Sequence, residues 1–148
     1  MEYFAYGSNM NSERMREREV NFSKREHATL KGWRLDFNKQ ASQNPKEGYA
    51  NIVPCEGVMV EGVLYEISDS DLKKLDRCEG YPNHYCRIKV KVKLDNGQGR
   101  DAITYVAQAD KVKSGLKPNR QYLEHLLKGC DVLSENYCKR LKEWKALD

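Results

Sequence analysis

The chain has 148 residues, 39% hydrophobic and 32% charged, which suits one domain (residues 1–148) around a single core and excludes wholesale disorder. Its net charge of +4 arises from 26 basic and 22 acidic residues that are interspersed, so no dense tract marks a nucleic-acid binder. No apolar run approaches the roughly 20 residues that span a bilayer, and the start lacks a basic stretch followed by an apolar core, which points to a cytoplasmic protein without a membrane partner.

Met1 to Tyr6 is short and aromatic and meets Gly7-Ser8-Asn9 at once, the pattern of a strand entering a tight turn. A polar helix follows, capped by Asn11 or Ser12 and carried by Glu13 to Glu19. Residues 27–37 alternate from Trp33 onward as a half-buried strand does, and the polar stretch from Asn38 to Gly48 reads as a loop long enough to be a mobile flap or a substrate-facing segment. Tyr49 to Val53 and Val58 to Ile67 are expected as separate strands joined by a turn at Pro54 to Gly57, with Gly62 marking a bulge or a close approach. Ser68 or Asp69 caps a helix that carries Leu72 and Leu75 on one face and stops at Gly80, just before Pro82.

Arg87 to Leu94 alternates without a break, Asp95-Asn96-Gly97 is a hairpin turn, and Asp101 to Ala107 is the returning strand. Asn119 caps a helix through about Leu127, and Ser134 opens another with Tyr137, Leu141 and Trp144 at helical spacing. These elements make an α+β domain with a mixed sheet packed by helices; alternation alone does not decide whether the sheet closes. The cysteines, Cys55, Cys78, Cys86, Cys130 and Cys138, are odd in number and include no C-x-x-C pair, so reduced structural thiols are expected.

The Tyr6-Gly7-Ser8-Asn9 turn brings backbone close to a ligand and presents N–H groups to an anionic oxygen, although the same residues are ordinary turn formers. Glu79 stands where a helix ends, and there the macrodipole disfavours its charge; burial would push the carboxyl the same way, toward a better general base. An exposed helix-end glutamate is the bland alternative.

Tyr3-Phe4-Ala5-Tyr6-Gly7-Ser8-Asn9-Met10 resembles the N-terminal signature of the γ-glutamylcyclotransferase family. Gly62 to Ile67, Leu75-Asp76-Arg77-Cys78-Glu79-Gly80-Tyr81 and Tyr85 to Lys93 follow in the order of its central strand, its helix ending in Glu-Gly, and the next strand. Asn119-Arg120-Gln121-Tyr122 is similar to its later helix bearing a pocket tyrosine.

The resemblance implies a small mixed β-barrel with flanking helices, Glu79 as the acid-base residue, and a substrate pocket lined by Tyr6, Gly7, Ser8, Asn9, Met10, Tyr85 and Tyr122. It implies release of an amine from a small γ-glutamyl substrate by closure to 5-oxoproline, with no cofactor. Asn9 weighs against the glutathione-specific branch, and the leaving amine stays open, as does a homodimer.

Ser8 lacks a His-Asp partner pattern for nucleophilic work. Cys78, His84 and Cys86 lack a fourth ligand and zinc spacing, so no metal is expected. The competing reading is a non-catalytic module that meets an anionic surface or nucleic acid through the Lys89-Lys91-Lys93 row.

Overall fold

The computed structural model describes residues 1–147. Strands β1 (Glu2–Ala5), β2 (Lys24–Gln40), β3 (Gly48–Glu66), β4 (Tyr85–Leu94) and β5 (Gly99–Ala107) close into a barrel in the order β1-β3-β2-β4-β5. Neighbours run antiparallel except at the β1–β5 seam, where Tyr3 faces Ile103 and Thr104 Oγ1 donates to the Phe4 carbonyl at 2.8 Å. Helices α1 (Ser12–Glu17), α2 (Asp69–Cys78), α3 (Arg120–Leu127) and α4 (Glu135–Lys142) flank it. Their caps are Asn11, Ser68, Asn119 and Ser134, each accepting a backbone N–H in the first turn.

The core follows the two-residue period of the strands. In β4, Val90, Val92 and Leu94 point inward while Lys89, Lys91 and Lys93 face solvent, and Lys91 meets Asp101 on β5 at 3.6 Å. Phe4, Phe37, Ile52, Leu64 and Tyr65 fill the interior, and Leu75, Leu126 and Leu141 seat three of the helices on it.

The strands expected at residues 49–53 and 58–67 are one strand, β3, and Pro54 to Gly57 form no hairpin. They bulge within it: Leu30 pairs with Val60, Lys31 with Met59, and Trp33 with Pro54 beyond the irregularity. Gly32 and Gly57, both at positive φ, absorb the extra residues, and pairing with a continuous β2 resumes on each side.

The Asn38–Gly48 loop is likewise shorter than expected, because Lys39 pairs with Tyr49 and Gln40 with Gly48. Polar composition misled here, since these residues satisfy their backbone in the ladder and Asn51 Nδ2 donates to Asn38 Oδ1 at 2.9 Å. Trp144 lies past the end of α4, its ring 4.9 Å from that of Phe37. Cys130 and Cys138 form a disulfide, contrary to the expectation of reduced thiols: the corner between α3 and α4 sets their Cα atoms 5.7 Å apart, within bridging reach.

Candidate active site

Leu72 and Leu75 bury one face of α2 and so aim its C-terminus at the barrel mouth. Glu79 is the C-cap, its N–H donating to the Leu75 carbonyl at 2.9 Å. Gly80 then turns at φ +65°, which lets Tyr81 N–H reach the Asp76 carbonyl at 2.9 Å and His84 N–H reach the Gly80 carbonyl at 2.8 Å. A Cβ at Gly80 would lie 2.7 Å from His84 Cδ2, so glycine here serves both the turn and the approach of His84.

Asn9 binds the Glu79 carboxylate from the other side. Its Nδ2 donates to Glu79 Oε1 at 3.1 Å and to the Tyr3 phenol at 3.0 Å, while its Oδ1 accepts from Arg18 Nη1 at 2.9 Å. Arg18 Nη1 also stands 3.6 Å from Glu79 Oε1. The Asn9 carbonyl accepts the Tyr65 phenol at 2.6 Å, which fixes the turn to the barrel.

Glu79 keeps only 18% of its side-chain surface, and that surface opens into a pocket of about 310 Å³. Burial raises its pKa above the ordinary carboxylate range, while Arg18 and then the Asn9 hydrogen bond pull it back; burial wins. Cations dominate the walls: Arg14, Arg18, Lys39 and Arg77 line the pocket with this one acid. The excess of positive charge is electrostatically complementary to an anionic small molecule, and a carboxyl of raised pKa has the chemistry to take and return a proton.

Of the residues named from the sequence, Ser8, Glu79, Tyr85 and Tyr122 line this pocket, and Tyr6, Gly7 and Asn9 line a narrow inner extension of about 30 Å³. Met10 does not: its side chain is fully buried, with its Cβ and Sδ against Gly129. The Tyr6 hydroxyl is committed to the Tyr105 carbonyl at 2.5 Å. Met10 N–H bonds the Gly7 carbonyl and Asn11 N–H the Ser8 carbonyl, so of the turn's amides Gly7, Ser8 and Asn9 have no backbone partner among the described residues.

Tyr85 and Tyr122 grip one backbone unit: Tyr85 donates to the Ala50 carbonyl at 2.8 Å and Tyr122 accepts from the Ala50 N–H at 3.0 Å. Burial pushes the Tyr122 phenol up to about 12, so it keeps its proton and has it to donate. Tyr122→Phe leaves the Ala50 N–H unpaired, an expected loss of about 1–3 kcal/mol. Urea unfolding checks this, and an unchanged midpoint would refute the role.

Arg14, Arg18 and Lys39 carried no signal of their own in the sequence, where they read as solvated helix and loop charges. In the sequence His84 stands out only beside Cys78 and Cys86, as a candidate metal set. The structure separates those three: His84 Nδ1 takes Lys39 Nζ at 2.9 Å, Cys86 Sγ donates to the Val106 carbonyl, and Cys78 is exposed. Among the described residues no three His, Cys, Asp or Glu side chains converge as metal ligands, and no helix is long and apolar enough to cross a membrane.

The fold and site define a small α+β domain, a closed five-stranded barrel with flanking helices that carries a nearly buried carboxylate in a cationic pocket. The chain belongs to the gamma-glutamyl cyclotransferase, AIG2-like family, whose model matches residues 3–125. It is 36% identical over 100 residues to the gamma-glutamylcyclotransferase of Homo sapiens, a match covering 65% of this chain and about half (53%) of that protein. A solved structure described as gamma-glutamyl cyclotransferase superposes with TM-score 0.88 at 30% identity, covering 100% of this chain and 89% of that one. A yeast gamma-glutamyl cyclotransferase specific to glutathione shares the fold, with TM-score 0.69 at 13% identity over 97% of this chain and 94% of that one.

Proposed function

We propose that this protein cyclises the γ-glutamyl group of a small amide to 5-oxoproline and releases the amine. The observation that carries this reading is the Glu79 carboxylate, held by Asn9 and Arg18 at the inner end of the cationic pocket and kept above its ordinary pKa by burial. A γ-glutamyl amide brings its own nucleophile, so no side-chain nucleophile is needed. The α-ammonium loses a proton to Glu79, and the amine nitrogen attacks the γ-carbonyl to form the ring C–N bond. The amide C–N bond then breaks as Glu79 returns that proton to the departing nitrogen; Glu79 next takes the second proton shed by the ring nitrogen and passes it to the released amine, which leaves as ammonium, and no water is consumed.

The Gly7, Ser8 and Asn9 amides, free of backbone partners among the described residues and belonging to residues that line the inner pocket, would steady negative oxygen on the carbonyl or on a carboxylate. The family names of the relatives support the reaction class. The test is release of 5-oxoproline from a panel of γ-glutamyl amino acids, γ-glutamyl-ε-lysine and glutathione. Absence of product from the whole panel would refute the reading.

Arg18→Met gives a finer check. Arg18 favours the charged form of Glu79, so its loss raises the Glu79 pKa further. Because the ionised carboxylate is the base, the acidic limb of the kcat/KM profile should move to higher pH, with activity lost first on the acid side. A limb that stays in place would show that Arg18 does not act on the base.

A further inference from the structure

Resting on the cyclotransferase reading, we propose that Lys39, braced by His84, is the anchor for a carboxylate of the substrate. The β2–β3 register slips between Asp36 and Lys39, so one extra residue on β2 re-aims the side chains that follow. Lys39 then lines the same pocket as Glu79, with only 4% of its surface exposed.

A buried ammonium is costly unless paired, yet no carboxylate of the described residues lies within ion-pair distance of Lys39 Nζ. What holds it is neutral. His84 Nδ1 accepts at 2.9 Å, and the ring centroids of Tyr49 and Tyr85 lie 5.7 and 5.9 Å away. Accepting through Nδ1 requires the imidazole to carry its proton on Nε2, and burial first, then Lys39 and Lys111, lower its pKa and oppose a second proton on Nδ1, with Asp110 pulling the other way.

One of the ammonium's donors is thus taken by His84, and the remainder are available to a ligand in the pocket. Two of the other cations are engaged differently, Arg18 Nη1 serving Asn9 and standing by Glu79 and Arg14 Nη1 facing His125 Nε2 at 3.3 Å, while Arg77 at the pocket wall is exposed to solvent rather than desolvated. A cation placed, desolvated and left with no carboxylate at ion-pair distance, only the longer-range attraction of Glu79, matches a carboxylate supplied by substrate. A γ-glutamyl amide has one on its α-carbon, and an amino-acid leaving group adds another. The pocket reaches both directions from Lys39, since His84 and Ser42 also border an outer cleft of about 260 Å³.

The experiment compares γ-glutamyl-alanine with γ-glutamyl-methylamide, which lacks the leaving-group carboxylate. Lys39→Met and Lys39→Gln should raise KM about 10- to 100-fold, the weight of a charge-assisted hydrogen bond, with kcat changed much less. Lys39→Arg should recover most of the loss. A rise with both substrates assigns the α-carboxylate; a rise with γ-glutamyl-alanine alone assigns the leaving amino acid. An unchanged KM in both neutral variants, or the same loss from Arg14→Gln with none from Lys39, overturns the proposal.

Calorimetric binding of both compounds to Glu79→Gln, with and without Lys39→Met, reads the anchor without turnover. Binding that depends on Lys39 while the native protein releases no 5-oxoproline would keep the anchor and refute the cyclotransferase reading. Binding indifferent to Lys39, or no binding at all, refutes the anchor.

Discussion

Glu79→Gln is expected to lower 5-oxoproline release by about a thousandfold, the middle of the range for a positioned acid-base group. The amide keeps the shape of the side chain and can still accept from Asn9 Nδ2, but it cannot take the ammonium proton. Glu79→Asp should be severely impaired too, because withdrawing the carboxylate by one methylene misplaces it by about 1 Å, worth roughly a hundredfold.

The same substitution separates an acid-base group from a structural one. Burial raises the folded-state pKa of Glu79 above its unfolded value. Its favourable contribution is therefore present below the unfolded pKa and lost as pH rises through the folded one. At neutral pH the native carboxylate is a burden, so the Gln variant should melt at the same Tm or higher, with the difference growing from mildly acidic to neutral pH. Near-normal turnover would remove Glu79 as the base, and a clear loss of Tm at neutral pH would make it a structural ion-pair partner.

Gly62→Ala should have the largest effect on the fold. A Cβ at this β3 position would fall 2.4 Å from the Ala5 carbonyl and 2.8 Å from the Phe4 ring. Both belong to β1, which is four residues long and pairs with β3 across Ala5 and Val63. Strand and ring have no room to retreat, since Phe4 is fully buried and its carbonyl accepts Thr104 at the barrel seam.

Overpacking of this kind costs about 3 kcal/mol or more, here a Tm lower by about 10 °C. The displaced β1 also carries the Tyr6-to-Asn9 turn, so activity should fall with stability. Gly99→Ala is the control: its Cβ meets only the Lys91 side chain, Cδ at 3.6 Å and Cγ at 3.8 Å, and the change should stay within about 0.5 kcal/mol. Equal melting of the two variants would refute the close approach.

Elements whose signal is local were legible in the sequence. The β4–β5 hairpin shows in its alternation and in Asp95-Asn96-Gly97, and the helix caps Asn11, Ser68, Asn119 and Ser134 stand where a short polar side chain precedes a helical period. Glu79 at a helix end and the glycine turn after β1 were legible for the same reason, and the ordered motifs carried the family. The Pro54 to Gly57 bulge was misread because proline and glycine punctuate a hairpin and a bulged strand alike.

What the chain by itself determined is where each short-range period begins and ends, because capping, alternation and turn chemistry act within a few residues. Only the tertiary structure decided that the sheet closes, through pairings as brief as Tyr3 with Ile103 and Ala28–Thr29 with Lys93–Leu94. It alone brought Asn9 to Glu79 and Lys39 to His84, and it alone turned three ordinary surface-type cations, Arg14, Arg18 and Lys39, toward one acid. Those contacts join residues distant in sequence, and a charged side chain shows no sign of its burial until the barrel removes its water.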